Sequence, residues 1–193
     1  MSLRYALLAL LSVEPMTGYD LYKQFESTVG HVWYAPDSQI YPELRKMDQD
    51  GLVEGEMVPW GPRGTKRRYH ITDAGVVAFR TWMNDDLEYS RARDRPHLKA
   101  AYLEWATPTS AIRQLNSHIA HHTAELHQWE ENIREIDSGE SVLLNRRLEQ
   151  TPEADRKRTT LFKRFAYEGL ITQARQEIEW AQRGLRLIEE LDS

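Results

Sequence analysis

Ser38, Gln39, Tyr41, Pro42, Arg45 and Lys46 stand within one short stretch, "SQIYPELRK". A glutamine amide pairs with adenine through two hydrogen bonds, and arginine or lysine donates to the acceptors of guanine. A tyrosine hydroxyl reaches a phosphate oxygen. A second set, Arg63, Lys66, Arg67 and Arg68, puts four cations into six positions with no acid among them. Gly61 and Gly64 would let that segment lie close to a polyanion backbone. Cations placed on phosphates displace counterions and make binding salt-dependent. The plainer reading of the second set is a solvated hairpin.

Ile40, Leu44 and Met47 recur at helical spacing and predict the element that carries the first set. With those three inward, Ser38, Gln39, Pro42, Arg45 and Lys46 fall on the opposite side. Asp37 or Ser38 is the expected N-cap, and Gly51 the expected left-handed stop. On that start Pro42 lies near the end of the first turn, where little hydrogen bonding is lost.

Upstream, Leu3, Leu7, Leu8, Leu10 and Leu11 predict a first helix, opened by Ser2 and ended at Glu14-Pro15. Thr17 opens a second, with Asp20 three residues on in a variant of the capping box. Leu21 and Phe25 face inward, while Tyr19, Lys23 and Glu26 share another side. A connector from Ser27 to Pro36, with Gly30 just past the helix, leads on. Downstream, residues 52–58 and 66–71 read as two strands around the glycine- and proline-rich loop "PWGPRGT". Thr72-Asp73 caps a fourth helix with Val76, Phe79 and Met83 on one face. Helix, helix, helix, hairpin, helix is the layout of a winged helix-turn-helix. In such modules the second helix of the pair enters the major groove and the hairpin meets phosphates.

Beyond a polar hinge (residues 85–96) the pattern is helical throughout. Leu98, Tyr102 and Trp105 mark a short helix after Pro96. Thr107-Pro108, a cap followed by proline at the first helical position, opens a long one. On it Ile112, Leu115, Ile119, His122, Leu126, Trp129, Ile133 and Ile136 step alternately by three and four, and Gly139 closes it. Thr151-Pro152 repeats the start signal, after a short linker, before Tyr167, Ile171, Ala174, Ile178, Ala181, Leu185 and Ile188. These steps are those of a coiled-coil seam. The two helices could pair with each other as an antiparallel hairpin, and the pattern leaves open whether pairing is within or between chains. Leu161, Phe162 and Phe165 lie outside the register and need another surface.

The fold class is therefore mainly α with a small β-hairpin wing. The expected division is an N-terminal winged helix-turn-helix, residues 1–86, and an all-helical domain, residues 87–193. The 193-residue chain carries a net charge of −5 and no cysteine, which excludes disulfides and thiolate chemistry. Residues 1–84 hold nine Lys+Arg against ten Asp+Glu, so basic residues must act as a local patch. Acids such as Glu54 and Glu56 are expected at the wing base, away from that patch. The apolar run Tyr5–Val13 is too short to span a bilayer and has no cleavage site after it, so no membrane contact and a cytoplasmic location are expected.

Other chemistry is thinly represented. His118 and His122, and His121 and Glu125, stand at i,i+4 and such pairs can hold a metal. But His122 is on the seam and no H-E-x-x-H motif is present, so these read as helix positions, with no metal or cofactor expected. Trp129, His122, Tyr102, Trp105, Phe162 and Phe165 could line an effector pocket, although an aromatic at a heptad position more often packs in the core. No P-loop, G-x-S-x-G elbow or dinucleotide turn appears, and no enzyme activity is expected.

The stretches "LLALLSVEPMTGYDLYKQF", "QIYPELRKMDQDGLV" and "KRRYHITDAG" resemble the PadR family of transcriptional regulators. The most typical pattern is Tyr41-Pro42-x-Leu44, Gly51-Leu52-Val53 and Tyr69-x-Ile71-Thr72-x-x-Gly75, with Met47 where leucine is commoner. The likeness covers roughly the first 84 residues well. The helical remainder is similar, through weaker motifs, to the larger, virulence-regulator-like branch. The resemblance implies a homodimeric repressor on a pseudo-palindromic operator of double-stranded DNA, released by a small-molecule effector. It implies DNA contacts at Thr17 and Tyr19, at Ser38, Gln39, Tyr41, Pro42, Arg45 and Lys46, and at Arg63, Thr65, Lys66 and Arg67. Dimerisation would then fall to the heptad helices through Ile112, Leu115, Ile119, Leu126, Trp129, Ile133, Ile171, Ile178, Leu185 and Ile188. The competing reading is a coiled-coil interaction module whose winged helix binds a protein.

Overall fold

The computed structural model describes residues 2–26, 35–61, 64–87 and 94–191. The chain divides into two compact units, Met1–Glu88 and Tyr89–Ser193. Most of the connector 27–36, the wing-tip residues Pro62 and Arg63, and hinge positions 88–93 lie outside the described residues.

In the first unit the order is α1 (Ser2–Leu11), β1 (Met16–Thr17), α2 (Gly18–Gln24), α3 (Asp37–Gln49), β2 (Val53–Trp60), β3 (Gly64–Ile71) and α4 (Asp73–Asn84). Leu7, Leu8, Leu21, Phe25, Ile40, Leu44, Met47 and Val53 form the fully enclosed centre. The apolar rows of the first three helices thus meet one another, as their spacing predicts. Thr17 caps α2 by accepting from the Asp20 N–H, and its hydroxyl donates to the Asp20 carboxylate at 2.7 Å.

Three details of this unit differ from the sequence reading. Met16 and Thr17 pair antiparallel with Tyr69 and Arg68, so the hairpin gains a third strand in the order β1-β3-β2. Two residues give no alternation by which a strand can be recognised. The hairpin also runs further than expected, with Pro59 opposite Thr65 and Trp60 opposite Gly64, so most of "PWGPRGT" is strand. On α4 the inward aromatic is Trp82, stacked on Tyr5 at 4.7 Å with the planes 7° apart, whereas Met83 is 61% exposed. Val76 and Phe79 are partly covered, so a 3,3 step fits this short helix better than a 3,4 step.

The second unit holds α5 (Arg95–Ala100), a single 3₁₀ turn (Leu103–Trp105), α6 (Pro108–Ser138), α7 (Val142–Glu149) and α8 (Glu153–Leu191). The expected helix through Leu98, Tyr102 and Trp105 is broken in two, and all three side chains are exposed. Thr107 caps α6 through the Ser110 N–H, and Gly139 ends it at φ 75°. The short helix α7 occupies what reads as linker; Leu144 is its one buried residue.

The heptad rows face each other inside one chain. Trp129, Ile136, Leu144, Tyr167, Ile171 and Ala174 make a single cluster, against which Leu126 and Ile133 pack. Leu115 sits by Gly184 near one end, and Arg164 is paired with Asp137 near the other, so α6 and α8 run antiparallel. Leu115, Trp129 and Ile171 are buried, and Ile119, Leu126, Ile133, Ile178, Leu185 and Ile188 are half-buried. Ile112 departs from the seam: it is 37% exposed and Ala111 is buried instead. Six of the ten residues expected to dimerise are thus half-buried and Ile112 is exposed, so the rows close the α6–α8 contact within one chain without using up all of their surface. Leu161, Phe162 and Phe165 are exposed, in keeping with their place outside the register. No helix among the described residues is long and apolar enough to cross a membrane.

Candidate nucleic-acid interface

The site is built on α3. Ile40, Leu44 and Met47 have no exposed surface, while Ser38, Gln39, Tyr41, Pro42, Arg45 and Lys46 are all exposed. Arg4 of α1 adds a polar brace from behind, with Glu43 and Asp50 each 2.8 Å away.

The start of α3 is not where the sequence puts it. Pro36 occupies the N-cap, without a side-chain cap, and Asp37 is already helical, its carboxylate accepting from the Ser38 N–H at 2.7 Å. A proline cap has no N–H of its own to leave unpaired. Pro42 is therefore the sixth helical residue, in the second turn, and it does remove a bond, the one to the Ser38 carbonyl. That carbonyl belongs to the exposed side of the helix, where solvent or a ligand donor can satisfy it.

Two neighbours converge on this face. The Tyr41 ring packs on Gly18 at the start of α2, so closely that a Cβ there would meet Tyr41 Cε1 at 2.7 Å. Tyr19, next in sequence, is 47% exposed and carries two cations: Lys23 Nζ lies 4.9 Å and Lys66 Nζ 5.1 Å from its ring centroid. Lys66 also sits 3.1 Å over the exposed Trp60 ring. Such contacts hold a lysine in place without neutralising it. Thr17 is different. It is only 8% exposed and its hydroxyl is engaged with Asp20, so its side chain positions α2 and is not displayed.

The wing cations divide into two kinds. Arg67 crosses Gly55 to reach Asp48 of α3 at 2.6 Å, and Arg68 pairs with Glu56 directly opposite it at 2.5 Å. The acids expected at the wing base are thus partly on the wing itself. Lys66, Arg45 and Lys46 have no ion-pair partner among the described residues. Asp48 also accepts from the Gly55 N–H at 3.0 Å, so one carboxylate ties the reader helix to the hairpin twice. Beside it Tyr69 is buried, and that burial pushes its phenol above the ordinary range; the charges of Arg67 and Arg45 oppose the shift. Arg63 lies outside the described residues, and Thr65 is exposed on β3.

Residues 7–81 match the transcriptional regulator PadR-like family, and residues 92–189, just over half of the chain, match the virulence activator alpha C-terminal domain. The chain belongs to the PadR-like family of transcriptional regulators. The negative transcriptional regulator PadR of Bacillus subtilis is 36% identical over 81 residues, 42% of this chain and 44% of that protein. The chain thus spans less than half the length of this curated relative. The fold extends further. A crystal structure of Bacillus subtilis PadR in complex with operator DNA superposes with a TM-score of 0.73 at 22% identity, covering 97% of this chain and 99% of that one. The same protein in complex with p-coumaric acid gives 0.70 at 22% identity, covering 98% and 99%.

Within this PadR-like winged helix, the spacing of α3 marks its outward residues. Asp48 and Gly18 escape such reading because each acts through a neighbour distant in sequence, and Trp60 because it meets Lys66 only across the hairpin. Replacing Asp48 by alanine releases Arg67 and strips the Gly55 N–H of its acceptor. We expect a loss of about 1–2 kcal/mol of stability, read as a lower urea midpoint.

Proposed function

We propose that the protein is a sequence-specific DNA-binding repressor that acts as a homodimer in the cytoplasm and works by binding, not by catalysing a reaction. The observation that carries this reading is the reader face of α3. Gln39, Arg45 and Lys46 are exposed, and Arg45 and Lys46 have no ion pair among the described residues, on a helix pinned by three fully enclosed side chains. In the major groove Gln39 would meet adenine and Arg45 or Lys46 guanine. Ser38, Tyr41 and Pro42 would line the helix edge. Lys66, Thr65 and Tyr19 would meet phosphates, with Arg63 beyond the described part of the wing. Arg67 would contribute only on leaving Asp48. Thr17 would act through its cap.

The cleft walled by α5, α6 and Trp180 suits an effector. It has a volume of about 470 Å³, and Arg95, Lys99, Arg113 and Trp180 are among the residues that line it. Arginine and lysine side chains beside an indole fit a small aromatic carboxylate, and the p-coumaric acid complex of Bacillus subtilis PadR supports that class. For the dimer, the exposed Leu161, Phe162 and Phe165 on α8 offer an apolar surface beside the heptad rows, of which Ile112 is itself 37% exposed.

Fluorescence anisotropy with DNA from upstream of the protein's own gene tests the first claim. Arg45→Ala should weaken specific binding by about 1–3 kcal/mol and relax sequence preference. Lys66→Ala should weaken all binding and make the salt slope shallower by about one. Binding indifferent to both changes and to salt contradicts the reading. Sedimentation of the Phe162→Asp, Phe165→Asp double variant should turn a dimer into a monomer; an unchanged dimer places the contact elsewhere.

A further inference from the structure

Glu177 of α8 meets two histidines of α6. His118 Nε2 is 3.0 Å from a Glu177 carboxylate oxygen. His122 follows one turn on, with its ring 4.4 Å from that of His118 and edge-on to it. One ligand atom from each of the three residues lies within 4.8 Å of the other two. Their side chains are largely covered, at 11%, 16% and 23% exposure for His118, His122 and Glu177.

We propose that His118, His122 and Glu177 bind a divalent transition-metal ion of the zinc class. Two imidazoles and a carboxylate are a donor set that zinc takes with a fourth position open. Imidazole nitrogen disfavours magnesium and calcium, which prefer oxygen throughout. Bonds of about 2.0–2.1 Å to a tetrahedral ion put ligand atoms roughly 3.3 Å apart. The His118–Glu177 pair already has nearly that spacing, and the His122 ligand atom, within 4.8 Å of both, would close in on the ion.

The second shell points the same way. His122 Nδ1 is 2.8 Å from Glu125. An ionised carboxylate only accepts, so Nδ1 carries a proton, and in the neutral imidazole Nε2 then keeps its lone pair. A carboxylate orienting a histidine in this manner is the usual support of a metal-bound imidazole. An ion pair across the seam explains His118 and Glu177. It leaves unexplained why His122 is held beside them. The neighbouring group His121, His122 and Glu125 belongs to one helix, and His121 is 65% exposed. The two-helix set is the better-enclosed one. Its ion would clamp α6 to α8 beside the cleft that His118 lines. This inference does not depend on what the N-terminal unit binds.

Zinc titration of the metal-stripped full-length chain against a chromogenic chelator tests it, with the cobalt(II) absorption spectrum as a geometric readout. One ion per chain is expected, with a tetrahedral cobalt spectrum. Glu177→Gln, which keeps size and hydrogen bonding, and His118→Ala should each weaken binding at least tenfold. Glu125→Gln should weaken it about 10- to 100-fold. The exposed His127, replaced by alanine, should leave it unchanged. Binding that survives Glu177→Gln intact overturns the proposal. So does binding lost with His121→Ala but retained with Glu177→Gln, and so does a wild-type chain that takes up no stoichiometric zinc.

Discussion

Ile40, Leu44 and Met47 are fully enclosed, and their enclosure places every outward residue of α3. Each buried aliphatic or thioether side chain stabilises the fold by about 1.5–3 kcal/mol, so the row contributes roughly 5–9 kcal/mol. A proline in a helix interior costs about 3 kcal/mol. The comparison explains how α3 keeps Pro42 in its second turn: the buried row holds the helix whether or not one backbone bond is made. What remains is a stiffened outer edge carrying Tyr41, which is braced in turn on Gly18.

Charge is handled locally. Residues 1–84 hold nine Lys+Arg against ten Asp+Glu, and the wing arginines Arg67 and Arg68 are paired with Asp48 and Glu56. Lys23 and Lys66 lie over aromatic rings, and Arg45 and Lys46 are exposed on α3. This separates structural from displayed arginines. Arg67 joins the wing to α3, whereas Arg45 and Lys46 are open to a ligand. A near-neutral module can in this way present a positive edge.

Much of this was legible in the sequence because one helix face, repeated every three or four residues, is a strong signal. The rows Ile40-Leu44-Met47 and Leu115–Ile136, the Thr17, Thr72 and Thr107 caps, and the Gly51 and Gly139 stops all stand where spacing and residue type put them. The failures have a common physical origin. Strand β1 is two residues long and exists only because β3 lies alongside. The Asp48–Arg67 link spans 19 residues. Pro36 caps α3 without any side-chain oxygen, so the nearest Asp and Ser mislead. Heptad rows announce a partner helix but not whose, a question the spacing leaves open; α6 and α8 meet within this chain.

The central claim is that α3 presents Gln39, Arg45 and Lys46 to a major groove. Guanine N7 lies in that groove and is an acceptor for arginine and lysine. Methylation interference on DNA from upstream of the gene addresses this directly. The account predicts that N7 methylation blocks binding in two patches about one helical turn, or a whole number of turns, apart. Binding insensitive to N7 methylation throughout the protected DNA would contradict it.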